Sequence, residues 1–317
     1  MKVIVTGASG FLGSWICRVI SNEYEVVALL RPESNDFRLQ GIENLEKVRA
    51  QIEDWPKVIQ EAKGQVLILN DWWGVGNIHR DDERQLENLP RIKNNANAAV
   101  SAQYKLVIGV GSQAELGPVH GEISENQPDN PTTQYGEAKV AARKLLFEET
   151  SSSKMRTVWL RIFSTYGPLD SSGWLIPDII NSLIKNESKD LTHGDQDWSY
   201  LHAYDLAQAV LTIIDQDKIQ GIVNVGNPKT QKIKDVALLI SSILQKRNLL
   251  KFGAIPYRND QVMELRPVCE KLTEFGWRPL VEMEDGLRHM IAWTENSNVP
   301  LKLNNSESIE LNLPGKN

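Results

Sequence analysis

Short apolar runs and helix-patterned segments take turns along the first half of the chain. Val3–Val5, Val26–Leu30, Val66–Asn70, Leu106–Val110 and Val158–Ile162 have the length and apolar content of buried strands. Between them, Phe11–Ser21, Pro56–Lys63, Asp82–Ser101 and Tyr135–Glu149 carry helical spacing. This alternation predicts stacked βαβ units, and so an α/β, doubly wound parallel sheet. From Tyr166 the pattern turns irregular. Helical stretches at Ile176–Lys185, Asp205–Ile214 and Ile233–Leu244 mix with short strands such as Ile222–Val225. The expected organisation is a first domain over 1–165, to which 200–226 return, and a smaller, partly interleaved lobe over 166–199 and 227–294. Residues 295–317, rich in Asn and Ser and without a clear period, are expected as a tail or extension.

Between the first strand and the first helix, Gly7, Gly10 and Gly13 stand at G-x-x-G-x-x-G spacing. Gly7 permits a tight turn, Gly10 lets the backbone approach a pyrophosphate, and Gly13 allows close helix–strand packing. The helix N-terminus then offers free N–H groups and a positive dipole end to the anion. Glycines alone often mark only a turn. Strand before and helix after make this the phosphate loop of a Rossmann-type domain. The second strand runs into Leu30-Arg31, without the carboxylate that would bond the ribose 2′-OH of NAD. Arg31 could pair with a 2′-phosphate, so NADP is expected and NAD is the alternative. A solvated surface arginine is the bland reading of the same residue.

Tyr135 and Lys139 lie at i and i+4, on one helix face. An ammonium beside a phenol favours phenolate and brings the tyrosine toward acid–base work. Such a pair arises by chance often. What raises it here is Ser112, just past the C-terminal end of a predicted parallel strand, the edge where ligands sit in open α/β sheets.

Together the Thr6–Gly13 loop, Ser112 and the Tyr135/Lys139 pair resemble the signature of extended short-chain dehydrogenases/reductases, the group also called NAD-dependent epimerase/dehydratases. The resemblance runs to about Trp293. Leu160–Pro168 is similar to the family's strand-to-loop beside the nicotinamide, Tyr200–Leu206 to its second-lobe motif, and Gly276–Pro279 to its C-terminal one. The resemblance implies that Tyr135 exchanges a proton with a sugar oxygen, Lys139 holds the nicotinamide ribose and tunes Tyr135, and Ser112 bonds the reacting carbonyl or alkoxide. It implies cofactor contacts at Gly7, Ser9, Gly10, Phe11, Leu12 and Gly13, at Arg31, Ile52 and Asn70, and at Tyr135, Lys139 and Phe163. Substrate contacts are implied at Gln113, Ser164, Trp174, Trp198 and Arg258, with Arg266 a weaker anion ligand.

Within that family, 4,6-dehydratases carry Asp-Glu directly after the position matching Ser112, and epimerase-reductases a cysteine two places after it. Here the residues are Gln113-Ala114, which move no proton, and Glu115 one place later has to point elsewhere. What remains needs only Ser, Tyr and Lys. The leading expectation is an NADPH-dependent 4-ketoreductase acting on a nucleoside-diphosphate 4-keto-6-deoxy sugar, as in deoxysugar and O-antigen biosynthesis. The alternative is an NAD-dependent nucleotide-sugar 4-epimerase. A catalytically silent NADP-binding regulator ranks lower, because Tyr135 and Lys139 are both kept; a purely structural or interaction protein is left open by the altered tryptophans. Departures from the family pattern are Leu69 and Asp71 after the fourth strand, Trp174 for an asparagine, and Trp198-Ser199 for an arginine and its neighbour. Trp198 stacks on a base or fills space between lobes; Asp71 caps or sits near the cofactor.

Bulk properties narrow the rest. A net charge of -6 argues against nucleic acid as a partner. Two cysteines, Cys17 and Cys269, make no disulfide framework, and the five histidines show no metal-ligand spacing, so no metal is expected. No signal-peptide pattern opens the chain and no apolar run is long enough for a membrane span, so a cytoplasmic protein without a membrane partner is expected. The resemblance also implies a homodimer formed through Asp82–Ser101 and Tyr135–Glu149.

Overall fold

The computed structural model describes residues 1–258, 261–297 and 299–315. Its centre is a seven-stranded parallel sheet built from β1 (Lys2–Thr6), β2 (Glu25–Leu30), β3 (Leu45–Arg49), β4 (Val66–Leu69), β5 (Leu106–Val110), β6 (Arg156–Ile162) and β7 (Gly221–Val225). The spatial order is 7-6-5-4-1-2-3. Chain direction across the sheet reverses at β1, with β4 on one side and β2 on the other. Thr6 is in register with both Leu29 and Leu69, so the strand ends lie level and a crevice opens above them.

Side chains alternate between two cores, as a pleated strand requires. Val3 and Val5 face a layer that includes Ile16 and Ile20 of α1 (Phe11–Ile20). Ile4 faces Ile59 of α2 (Trp55–Ala62), Ile92 and Ala96 of α3 (Leu89–Ser101) and Leu146 of α4 (Gln134–Thr150). Helix α5 (Leu175–Ile184) belongs to a separate cluster, described below, and α6 (Ala203–Asp215) completes the α1 layer through Val210 and Ile213. Both faces are thus covered, which is why the strands read as continuous apolar runs.

Two expected boundaries shift for local reasons. Strand β3 escapes the apolar pattern because it is an edge strand, Leu-Glu-Lys-Val-Arg, whose charged residues face solvent. The segment expected as one helix over Asp82–Ser101 divides into a 3₁₀ turn, Glu83–Asn88, and α3. Pro90 falls in the first turn of α3, where its missing N–H costs no helical bond.

In the second lobe, α5, α7 (Ile233–Ile243) and the helix Met283–Thr294 close on a cluster of Ile179, Ile180, Val236, Ile240, Leu287 and Met290. The segment expected as a tail or extension folds back over the first helical layer. Leu301–Lys302 pairs antiparallel with Ser308–Ile309, and Leu301 and Leu303 are buried against Trp15 and Val19. Arg18 of α1 fastens it, donating to the Asn312 carbonyl at 2.7 Å and to those of Arg38 and Gln40 at 2.9 and 3.2 Å. Among the described residues no helix is long and apolar enough to cross a membrane.

The helix Met283–Thr294 brings His289 beside His202, with ring centroids 5.8 Å apart, both buried near Trp15. Burial holds His289 at about 4 and His202 well below the ordinary histidine value. Both are therefore neutral in the fold but take a proton when unfolded near pH 6.5. Their contribution is complete above about pH 6.5 and is lost as pH falls toward 4. Urea titrations between pH 7.5 and 4.5 check this. His289→Leu is expected to reduce the loss of stability over that range by about 2 kcal/mol; an unchanged slope removes His289 from the account.

Candidate active site

The phosphate loop is set by backbone contacts that only glycine tolerates. Gly7 has φ +63°, and a Cβ there would lie 2.7 Å from the Asn70 backbone; at Gly13 it would lie 2.3 Å from the Gly7 carbonyl. Asn70 braces the loop by donating its amide to that carbonyl at 3.1 Å. Gly10 enters α1 in extended conformation and no side chain caps the helix. The N–H groups of the first turn, at Phe11 and Leu12, are left for an anion, and a dinucleotide pyrophosphate fits this cradle. Asp71 accepts from the Thr6 hydroxyl and forms an ion pair with Arg91 at 3.7 Å. It ties the end of β1 to the loop after β4, so it serves as an anchor.

At the adenosine side, Arg31 is half-exposed and pairs with Glu33 at 3.3 Å. Arg38 lies nearer the phosphate loop, donating to the carbonyls of Ser9 at 3.5 Å and Leu169 at 2.9 Å. Ile52 opens the 3₁₀ turn Ile52–Asp54 and packs on the α2 layer.

The chemistry lies above β4 and β5. After β5, Ser112 caps the 3₁₀ turn Gln113–Leu116, its hydroxyl accepting from the Ala114 N–H at 3.2 Å. The Ser112 N–H in turn donates to Glu115 Oε1 at 2.8 Å. Glu115 is completely buried. It also accepts from Trp159 Nε1 at 2.9 Å and pairs with Arg143 at 3.3 Å and Arg161 at 3.8 Å. Asp129 joins the same two arginines. The carboxylate therefore points down into the core, away from the crevice.

Helix α4 starts at Thr133, whose hydroxyl accepts from Gly136 N–H at 3.1 Å. One turn apart on its buried face stand Tyr135 and Lys139. The Lys139 ammonium donates to the Val110 carbonyl at 2.7 Å and sits 3.6 Å from the centroid of the Trp72 ring. Trp72 meets Tyr135 edge-on at 6.1 Å, and the Arg80 guanidinium lies 5.8 Å from the Tyr135 ring. Burial lowers Lys139 to about 7, opposed by Glu115 and Asp71. Burial raises the Tyr135 phenol; the Ser112 hydroxyl and Arg80 oppose the rise, and Glu115 adds to it. A phenol and an amine that are both out of water, with a hydroxyl against the phenol, can pass a proton to a carbinol oxygen.

The loop carrying Trp72 and Arg80 is held by two buried amides. Gln85 accepts from Trp72 Nε1 at 2.8 Å and donates to the Gly74 and His79 carbonyls at 2.8 Å. Asn88 accepts from Trp73 N–H at 2.7 Å. Neither Trp72 nor Arg80 stood out as a site residue in the sequence. The paired tryptophans after Asp71 were the one available signal; Arg80 gave none.

The expected substrate residues are placed unevenly. Gln113 follows Ser112 directly, and its side-chain oxygen is buried without a partner. Trp198 donates to the Ser164 hydroxyl at 2.7 Å and packs between two apolar clusters, which favours the space-filling reading of that residue. Arg266 is engaged by Asp197 at 2.9 Å. Trp174 precedes α5, half-buried. Phe163 lies in a small core with Leu116 and Ile123. Arg258 is exposed and close enough to Arg80 to act on it electrostatically.

A model of the NAD dependent epimerase/dehydratase family matches residues 3–226. Human dTDP-D-glucose 4,6-dehydratase is 24% identical over 314 residues, covering 92% of this chain and 89% of that protein. The fold is similar to UDP-N-acetylglucosamine 4-epimerase from Methanobrevibacter ruminantium in complex with UDP-N-acetylmuramic acid, with TM-score 0.82, 20% identity and coverage of 92% and 97% of the two chains. It is also similar to DesIV, a dTDP-glucose 4,6-dehydratase from Streptomyces venezuelae with NAD bound, with TM-score 0.80, 18% identity and coverage of 93% and 97%.

Replacing Glu115 leaves two buried arginines short of a carboxylate. Glu115→Gln is expected to destabilise the fold by about 3 kcal/mol, read from denaturant midpoints. A loss under about 0.5 kcal/mol would show that Asp129 alone satisfies both guanidinium groups.

Proposed function

Since the chain belongs to the NAD dependent epimerase/dehydratase family, we propose that it reduces the 4-keto group of a nucleoside-diphosphate 4-keto-6-deoxy sugar, with NADPH as co-substrate. Against the family's 4,6-dehydratases, one observation carries this choice: the residues beside Ser112 are Gln113 and Ala114, and the nearest carboxylate, Glu115, is turned into the core by Ser112, Trp159, Arg143 and Arg161. A 4,6-elimination needs a group beside the reacting carbon to move a proton from C5, and the described residues directly after Ser112 offer none. Reduction needs only the three residues that remain.

The nicotinamide supplies the hydride when bound. Ser112 steadies the carbonyl oxygen by hydrogen bonding, Tyr135 gives its proton to the alkoxide, and the phenolate regains a proton from solvent. Lys139 spends one N–H on Val110 and has others for ribose hydroxyls. Arg31, directly after β2, supports a 2′-phosphate and hence NADP. Arg258 suits the substrate diphosphate. Two copies pairing through α3 and α4, and a cytoplasmic setting, belong to the same proposal.

The second reading is a nucleotide-sugar 4-epimerase with NAD. It uses the same three residues, and the pairing of Arg31 with Glu33 supports it by occupying the arginine and bringing a carboxylate to the adenosine side. Nicotinamide absorbance with a panel of nucleotide-linked 4-keto-6-deoxyhexoses separates the two. Oxidation of NADPH much faster than NADH, abolished by Tyr135→Phe, is the expected result. No turnover, together with NAD retained through purification, transfers the assignment to the epimerase and makes Arg31 a surface charge.

A further inference from the structure

Tyr135 is flanked by two cations from different elements. The Lys139 ammonium, one turn along α4, and the Arg80 guanidinium, from the loop after β4, each lie 5.8 Å from the centre of its ring. Arg80 is held there by backbone as well as by charge, since its carbonyl accepts the Tyr135 N–H at 2.8 Å. Its Nε is buried without a hydrogen-bond partner, and among the described residues no carboxylate pairs with it. A half-buried guanidinium with Asp81 as an opposing charge but no ion-pair partner among the described residues is stabilised by an anion that forms beside it.

We propose that Arg80 is a positioning residue for Tyr135, a second cation that joins Lys139 in holding the phenolate left when Tyr135 gives up its proton. This rests on the proton-donating role given to Tyr135 above.

The two cations are not redundant. Lys139 is committed to the Val110 carbonyl and covered by the Trp72 indole, and burial brings it to about 7, so its charge fades just above neutral pH. A guanidinium keeps its charge throughout that range. Burial lowers Arg80 as well, and Arg258 adds to this, while Tyr135 and Asp81 oppose it. The groups facing the phenol from the surrounding elements are Ser112 and Glu115 after β5, Arg80 after β4, and Lys139 on α4, with Asp71 beyond Lys139. Of these, Arg80 and Ser112 favour the phenolate and Glu115 opposes it. Removing the guanidinium leaves Glu115 acting on a buried phenol with one fewer positive neighbour.

The test reads Tyr135 itself and needs no substrate. Protein containing 3-fluorotyrosine, whose phenol titrates at lower pH, is followed by fluorine NMR, with the Tyr135 resonance assigned from Tyr135→Phe and the fold checked by circular dichroism at each pH. Arg80→Gln is expected to raise the Tyr135 midpoint by about one pH unit or more, and Arg80→Lys to recover most of that rise. Arg80→Met, which keeps length without charge, serves if the glutamine variant does not fold. A midpoint unmoved in the charge-removing variant overturns the proposal. With a turning-over substrate, the pH limb of kcat/KM is expected to move with the midpoint while KM stays near wild type. A raised KM with an unmoved limb also overturns it, making Arg80 a ligand for a substrate anion. Absence of turnover with every sugar tested would sink the reductase reading but leave the titration result standing.

Discussion

Glu115 is a carboxylate with no exposure, and the elements of the site meet on it. The Ser112 backbone from β5, Arg143 from α4, and Trp159 and Arg161 from β6 all reach its two oxygens. Arg143 sits on the helix that carries Tyr135 and Lys139, so this group, together with the Lys139–Val110 bond, fixes the hydroxyl after β5 relative to the phenol on α4. A buried charge network adds little stability over an apolar core of the same volume. What it supplies here is geometry: a packing defect in that layer would be felt as a change in the Ser112–Tyr135 approach.

The same constraint underlies the chemistry proposed for the site. A carboxylate three residues after the serine is available to a sugar only if it is free to face the crevice. Glu115 is not free, because two arginines would each lose one of their two carboxylates, and an indole N–H its acceptor, if it turned. The crevice is left with a hydroxyl, a phenol, an amine and the amide of Gln113. That set suits proton exchange at a single carbinol, shared by a reductase and an epimerase.

On the opposite wall, departures from the family pattern have a common structural effect. Asp71 anchors the end of β1, Trp72 covers Lys139, and the loop that follows brings Arg80 onto Tyr135, with Gln85 and Asn88 holding the turn together. Trp198, where an arginine is usual, is fixed to Ser164 and adds apolar bulk between the lobes. Indoles thus stand at Trp174 and Trp198, where the family pattern has an asparagine and an arginine. A second positive charge near the tyrosine, beside that of Lys139, comes from a loop outside the family's motifs.

The sheet, its helices and the glycine loop were legible in the sequence because each depends on local spacing: apolar runs bounded by turns, and three glycines at fixed intervals. That Tyr135 and Lys139 share a helix face and that Ser112 follows a strand end was legible for the same reason, since helix pitch and strand ends fix both. Strand β3 was not, because a charged edge strand buries too little to leave an apolar run. The inward turn of Glu115, the cover of Trp72 over Lys139 and the approach of Arg80 to Tyr135 were decided only by tertiary structure. Each is a contact between side chains far apart in sequence or turned by a loop, and its energy depends on burial. Spacing along the chain says which residues can share a face; only packing says which of them lose their water.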